Sequence, residues 1–249
     1  IGLILLALTG IGPLLAWRKT GRKSLIRNFT FPILTGLSTA TILLFVGFRG
    51  YVIISFSLGA FVTATIGTEF ARGIYARRKK FDESIIKALI RMVSKNRSRY
   101  GGYVVHIGIV FMFVGFTGHA FDDEKEFSLT VGETDHVAGY TFELMQLSEA
   151  ERPNHYAWIS DLRVTNQEGK FVTNLHPEKR IYFHNNPDPN RRQPHSELDI
   201  YTTMNQDIYS IFSGVDSENG VAFIKIMVNP LVRWVWVGGF ILVFGTMVA

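Results

Sequence analysis

The chain contains no cysteine. This excludes disulfides, thiolate ligation of a haem iron and CxxC redox chemistry among these residues. Acidic residues are nearly missing from a large part of it. Outside residues 122–228 only three Asp/Glu stand against 17 Lys/Arg, a net of +14. Residues 122–228 carry 18 Asp/Glu and 9 Lys/Arg, a net of −9. The overall charge of +5 therefore conceals two opposite regions, and the basic balance reports membrane orientation rather than nucleic-acid binding. No GxSxG, P-loop, HExxH or dinucleotide fingerprint occurs. Proline is sparse: Pro13 lies in an apolar run and Pro32 opens another, so the broken-helix pattern of a secondary transporter is thin. No basic stretch followed by an apolar leader stands at the start. The chain lacks an initial Met and both ends fall in apolar runs, so it reads as a piece of a longer membrane protein.

What is present is apolar length. Five runs are read as membrane-spanning helices: Ile1 to Trp17, Phe31 to Phe48, Tyr51 to about Phe70, Tyr100 to Phe121, and Trp234 to Ala249. The uncut runs have the 18 or more residues that a bilayer requires. Loop charge orients them. Residues 18–30 contain five Lys/Arg and no acid, and residues 71–99 contain ten Lys/Arg against Asp82 and Glu83, so both are expected to be cytoplasmic. The short turn at Arg49-Gly50 and residues 122–228 then fall on the outer side. Within 81–95, Phe81, Ile85, Leu89 and Met92 share one helical face while Lys87, Arg91 and Lys95 share another. This reads either as an amphipathic helix in the membrane interface or as a helix packed on the ends of its neighbours.

Residues 122–228 read as strands. FSLTV, YTFELMQL, YAWISDLRVT, KFVTNLH, RIYF, LDIYTTM, DIYSIF and VAFIKIMV are rich in β-branched and aromatic residues, with Gly, Asn, Asp and Pro between them. The expected fold is a polytopic α-helical membrane protein with a small antiparallel β-rich extracytoplasmic domain, sandwich or barrel, inserted before the last helix. The expected organisation is 1–121 helical, 122–228 β-rich and 229–249 a final helix.

His106 is the leading candidate for chemistry. It lies in a charge-free run of 22 residues, and an ionisable group there marks a functional site by default. Neutral imidazole also ligates metals, haem iron included. Gly102, one turn earlier on the same face, leaves room for a flat macrocycle or for a neighbouring helix. The alternative for His106 is a buried histidine bonded to another helix. His119 lies thirteen residues on, about 20 Å along a helix axis, so the two cannot share one iron. It reads as an interface residue. His136, His155, His176, His184 and His195 lack metal-site spacing and read as surface or strand-end residues, with NNPDPNRRQP between the last two an exposed loop. Glu69 reads as an interface group or the partner of Arg72, with a proton relay as the alternative.

Four stretches, in order, resemble one family: LTGIGPLLAWR (8–18), NRSRYGGYVVHIGIV (96–110), LHPEKRIYF (175–183) and NPLVRWVWVGGF (229–240). They are similar to the C-terminal part of the large membrane subunit of the bacterial cytochrome c haem lyase, the CcmF type, together with the related CycK and nitrite-reductase (NrfE) maturation subunits. The resemblance implies covalent attachment of haem to apocytochrome c, through thioether bonds between haem vinyl groups and CxxCH thiols at the periplasmic face of the bacterial inner membrane. It implies a haem chaperone and an apocytochrome-presenting subunit as partners. It also implies a resident haem b held by two intramembrane histidines, and the position matching the second ligand is His106. The family's tryptophan-rich outer loop, its two outer histidines and the first membrane ligand are not among these residues. The resemblance places them upstream of Ile1, so this piece is not expected to act alone. Trp158, the only tryptophan of residues 122–228, is not part of such a loop. Two other classes remain open on the residues alone: a non-catalytic scaffold or transporter segment, and a quinol-oxidising cytochrome b.

Overall fold

A computed structural model of the chain describes residues 2–12, 22–183, 193–216 and 218–249. Pro13, Trp17, Arg18, Lys19, His184 and most of the following loop lie outside the described residues. The chain divides into two units. One comprises Ile1–Ala120 with Leu231–Ala249, the other Phe121–Pro230.

The first unit is helical: α1 (Gly2–Ile11), α2 (Arg22–Val46), α3 (Tyr51–Phe81), α4 (Ile85–Lys95), α5 (Arg97–Thr117) and α6 (Arg233–Val248). Among the described residues three helices are long and apolar enough to cross a membrane: Ile26–Val46, Tyr51–Phe81 and Arg97–Phe121. Two shorter apolar helices, Gly2–Ile11 and Arg233–Val248, accompany them. A segment in lipid must satisfy its own polar groups. The hydroxyls of Thr30, Thr35, Thr39 and Thr41 accordingly donate to carbonyls four residues back in α2. Ser55 of α3 and Thr117 of α5 bond each other at 2.5 Å.

The helix that opens at Tyr51 does not stop with its apolar run near Phe70. α3 continues to Phe81 through Arg77, Arg78, Lys79 and Lys80, a run whose charge reads as loop but whose residue types are good helix formers. Asp82 closes it in the left-handed conformation, φ 49°.

α5 and α6 pack at backbone distance. Gly101, Gly108 and Gly115 recur every seven residues on α5; Gly108 faces Gly238 of α6, Gly101 lies against Gly245 and Ala249, and Gly115 against Val235. A Cβ on Gly108 would lie 2.7 Å from the Gly238 carbonyl oxygen, and one on Gly245 would lie 2.6 Å from the Val105 nitrogen. Small residues at such a seam let apolar helices associate through van der Waals contact where lipid offers no hydrophobic driving force.

The second unit is a sandwich with ten strands among the described residues: β1 (Asp123–Leu129), β2 (Thr134–Val137), β3 (Tyr140–Arg152), β4 (His155–Asn166), β5 (Phe171–Leu175), β6 (Glu178–Tyr182), β7 (Pro194–Glu197), β8 (Asp199–Thr202), β9 (Gln206–Asp216) and β10 (Val221–Pro230). One sheet has the order β1-β10-β9-β8, the other β2-β3-β4-β6-β7 with β5 also on β4, and the pairings are antiparallel. Alternation fills the core: Ala222, Ile224, Ile226 and Val228 of β10 face Phe127, Phe142, Leu144, Leu162 and Phe212. The sandwich-or-barrel question is thus resolved as two sheets around one core. β2 and β7 are short edge strands that the apolar pattern of the sequence does not mark.

Candidate functional site: an intramembrane histidine groove

His106 sits midway along α5, and helical geometry decides what it faces. It lies two residues, about 200° of rotation, from Gly108. With α6 clamped on the glycine face, His106 is turned to the other side of α5. There it lines a groove of about 530 Å³ together with Leu5, Leu8 and Thr9 from α1, Gly12 just beyond its end, and Ser98, Arg99, Gly102 and Tyr103 from α5. That volume is within the usual range for small-molecule and cofactor sites. The Nδ1 of His106 is buried and has no hydrogen-bond partner among the described residues. Buried polar atoms are normally satisfied, so an orphan ring nitrogen calls for an explanation. A Cβ added at Gly102 or Gly12 would meet nothing within 4 Å, so both glycines leave open space beside the groove.

The wall is fixed by a polar tie one to two turns from His106. Arg99 donates from Nε to the Tyr103 hydroxyl at 2.8 Å, and a second guanidinium nitrogen pairs with Glu69 of α3. Tyr103 also donates to Glu69 at 3.4 Å. Arg72 pairs with Glu69 at 3.5 Å and donates to Asn28 of α2 at 2.7 Å. Glu69 therefore does pair with Arg72, yet its closer partner is Arg99. The rings of Phe70, Tyr100 and Tyr103 pack together around this tie, with centroids 5.1 to 6.1 Å apart. Arg99 and Tyr103 precede His106 by seven and three residues, which puts them on its face. That spacing was a usable signal in the sequence; the α1 contribution had none.

His119 is on the 3-10 turn Gly118–Phe121, exposed and well removed from the groove. The described histidines of the sandwich go to separate places. His136 bonds Thr141 at 2.8 Å. His176 pairs with Asp161 at 2.6 Å. His155 is buried, bonds Asn154 at 2.7 Å through Nδ1 and packs its ring at a tilt against Tyr182. His195 meets the Tyr182 ring edge-on, with centroids 5.8 Å apart. Among the described residues no group of three or more His, Cys, Asp or Glu is arranged to hold a metal ion. Trp158 donates to Glu149 on the neighbouring strand.

Helices of this length and apolarity, a histidine-bearing groove among them and an antiparallel β-sandwich define a multi-pass membrane protein with an appended folded domain. Comparison with known proteins is more particular. Residues 120–230 match the family described as CcmF C-terminal beta-sandwich. The chain is 26% identical over 246 residues to the cytochrome c-type biogenesis protein CcmF of Pseudomonas aeruginosa, covering 97% of this chain and 35% of that protein. It is 33% identical over 157 residues to the cytochrome c-type biogenesis protein ccl1 of Rhodobacter capsulatus, covering 62% of this chain and 23% of that one. A solved structure titled Cytochrome c Heme Lyase CcmF has the same fold, with a TM-score of 0.77 and 23% identity, covering 99% of this chain and 38% of the other. The resemblance carried by the four sequence stretches stands: the chain is similar, over nearly all its length, to CcmF-type cytochrome c biogenesis proteins. It spans about a third of the length of the curated relatives it matches.

Proposed function

We propose that this chain is the C-terminal part of a cytochrome c haem lyase subunit, and that His106 would supply an imidazole to the iron of a resident haem b, for which the groove beside α1 and α5 would be the place. The observation that carries this reading is the half-buried imidazole of His106 on the wall of a groove opened by Gly102, its Nδ1 buried with no hydrogen-bond partner among the described residues. The residues present fit the group: an imidazole for the iron, apolar Leu5 and Leu8 against the macrocycle, and glycines where a side chain would intrude. The second ligand histidine belongs to the part of the protein outside these residues. When bound, the haem supplies one-electron exchange that keeps the iron of the substrate haem reduced. His106 presents a neutral imidazole at fixed height and rotation, because α6 holds the back of α5 and Glu69 ties Arg99 and Tyr103 to α3.

Charge orients the assembly. The basic segments 18–30 and 71–99 face the cytoplasm of a bacterium, α1 and α6 complete five spans of its inner membrane, and residues 122–228 are periplasmic. The sandwich, net −9, docks the haem chaperone or the subunit presenting apocytochrome c, whose CxxCH thiols take the haem vinyl groups. Such docking weakens as salt rises through the physiological range, where the screening length is about 8 Å. The test of the ligand is His106→Gly in the full-length protein. The b-type optical spectrum is expected to be lost and to return on adding imidazole. An unchanged spectrum would remove the assignment and leave a scaffold role in place.

A further inference from the structure

α4 carries three faces. Ala88 and Met92 are buried, with Met92 closing over Gly73 of α3 beside Tyr100. Lys87, Arg91 and Lys95 form a basic face. Between these faces, Ile86 and Ile90 stand 72% and 60% exposed, one turn apart, with Phe81 and Ile85 also exposed nearby. A soluble surface helix would place polar residues there.

The depth of this apolar face follows from α3. About 20 residues cross the hydrocarbon, so a span opening at Tyr51 leaves it near Phe70. Gly73, beside Met92, lies about 5 Å further along the helix, and Arg77, bonded to Glu83 at 2.8 Å, about 10 Å further. The headgroup layer extends about 5–8 Å beyond the hydrocarbon on each side. Between Glu83 and Met92 the chain thus moves by four residues of α3 height, about 6 Å, over nine residues that occupy about 13 Å of helix. α4 thus slants across α3, from the outer edge of the headgroup layer at Glu83 to within that layer at Met92. Its start is pinned there: Glu83 is buried, accepts from Arg77, pairs with Arg91 at 2.5 Å and through its carbonyl accepts from Arg78 at 3.2 Å. Ser84 caps the helix by accepting from the Lys87 amide.

We infer that α4 is an interfacial helix seated on anionic phospholipid of the cytoplasmic leaflet, with Ile86 and Ile90 turned into the lipid and Lys87 and Lys95 on lipid phosphates. Charge complementarity selects this occupant over protein. The segment 71–99 carries ten Lys/Arg against two acids, and a cytoplasmic leaflet is negatively charged. The inference rests on the orientation given above and not on the haem ligand.

The experiment places single cysteines at Ile86→Cys, Ile90→Cys and Lys87→Cys in the full-length protein, otherwise stripped of cysteine, each with an environment-sensitive fluorophore. Nanodiscs of phosphatidylcholine, with and without phosphatidylglycerol, carry a nitroxide shallow on the acyl chain. Labels at 86 and 90 are expected to emit in the blue and to be quenched severalfold more than the label at 87. Phosphatidylglycerol strengthens the quenching, and Lys87→Gln with Lys95→Gln abolishes that gain at the labelled isoleucines. Red, water-like emission without quenching overturns the inference. So does blue emission without quenching, which shows a protein partner, whether a second copy or another segment of the full chain. Quenching indifferent to phosphatidylglycerol overturns the anionic-lipid part.

Discussion

Phe127, Phe142 and Phe212 disappear from solvent inside the sandwich, whereas Phe45, Phe240 and Phe244 stand 89%, 76% and 61% exposed on the helices. The two units are held together by different physics. The sandwich closes its core with its own residues, and removal of apolar surface from water is the driving term. The helices keep apolar surface outward, as a bilayer permits, and hold to one another through backbone contact at glycines and through a few polar ties. Substitutions should therefore fail differently in the two units.

Phe142→Ala is expected to have the largest effect. It empties a fully buried position at a cost of about 3–5 kcal/mol, read as faster hydrogen exchange across β3, β4 and β10 with α5 and α6 unaffected. Equal deprotection of the helices would break the contrast. Gly108→Leu comes next, at about 1–3 kcal/mol or more from overpacking, because its side chain has only the α6 backbone to enter. Here α6 loses protection and the sandwich keeps its own. Glu69→Gln is milder, about 1 kcal/mol, since Arg99 retains Tyr103 and is half exposed. It loosens the α3–α5 tie, measured as exchange at residues 97–103.

The smallest effect is set by pH. The Arg77 guanidinium holds the Glu83 carboxyl below the usual carboxylate range, and Arg91 adds to it. A depressed folded pKa gives stability that is present above the unfolded value, about 4.3, and lost as pH falls through the lower folded value. α4 should stay protected at neutral pH and begin to open only in acid, and Glu83→Gln should flatten that response. An α4 that opens between pH 6 and 8 would contradict the assignment.

The same contrast explains what could be read from residues alone. Apolar runs mark helices wherever charge is absent, so the helical segments from Phe31, Tyr51 and Tyr100 were legible. The extension of α3 to Phe81 was not, because a basic run reads as loop until the αL stop at Asp82 and the Glu83 clamp are seen. Alternation marked most strands, but strand order depends on contacts between distant segments, and β2 and β7 are too short and polar to announce themselves. In the groove, His106 and Gly102 were visible as an ionisable group and a small residue on one face. Arg99 and Tyr103 share that face by spacing. Leu5, Leu8, Thr9 and Gly12 were not visible, since no local pattern says which helix lies against α5. The fold supports similarity to CcmF-type proteins, while the role of His106 rests on the groove and on the resemblance together.

The central claim is that His106 ligates haem iron, and its most direct test is His106→Met in the full-length protein, purified with its haem. Replacing one imidazole by a thioether raises the potential of a haem. A higher midpoint potential with a changed axial-ligand signature is the result this account predicts. Full haem content with an unaltered potential and spectrum would contradict it.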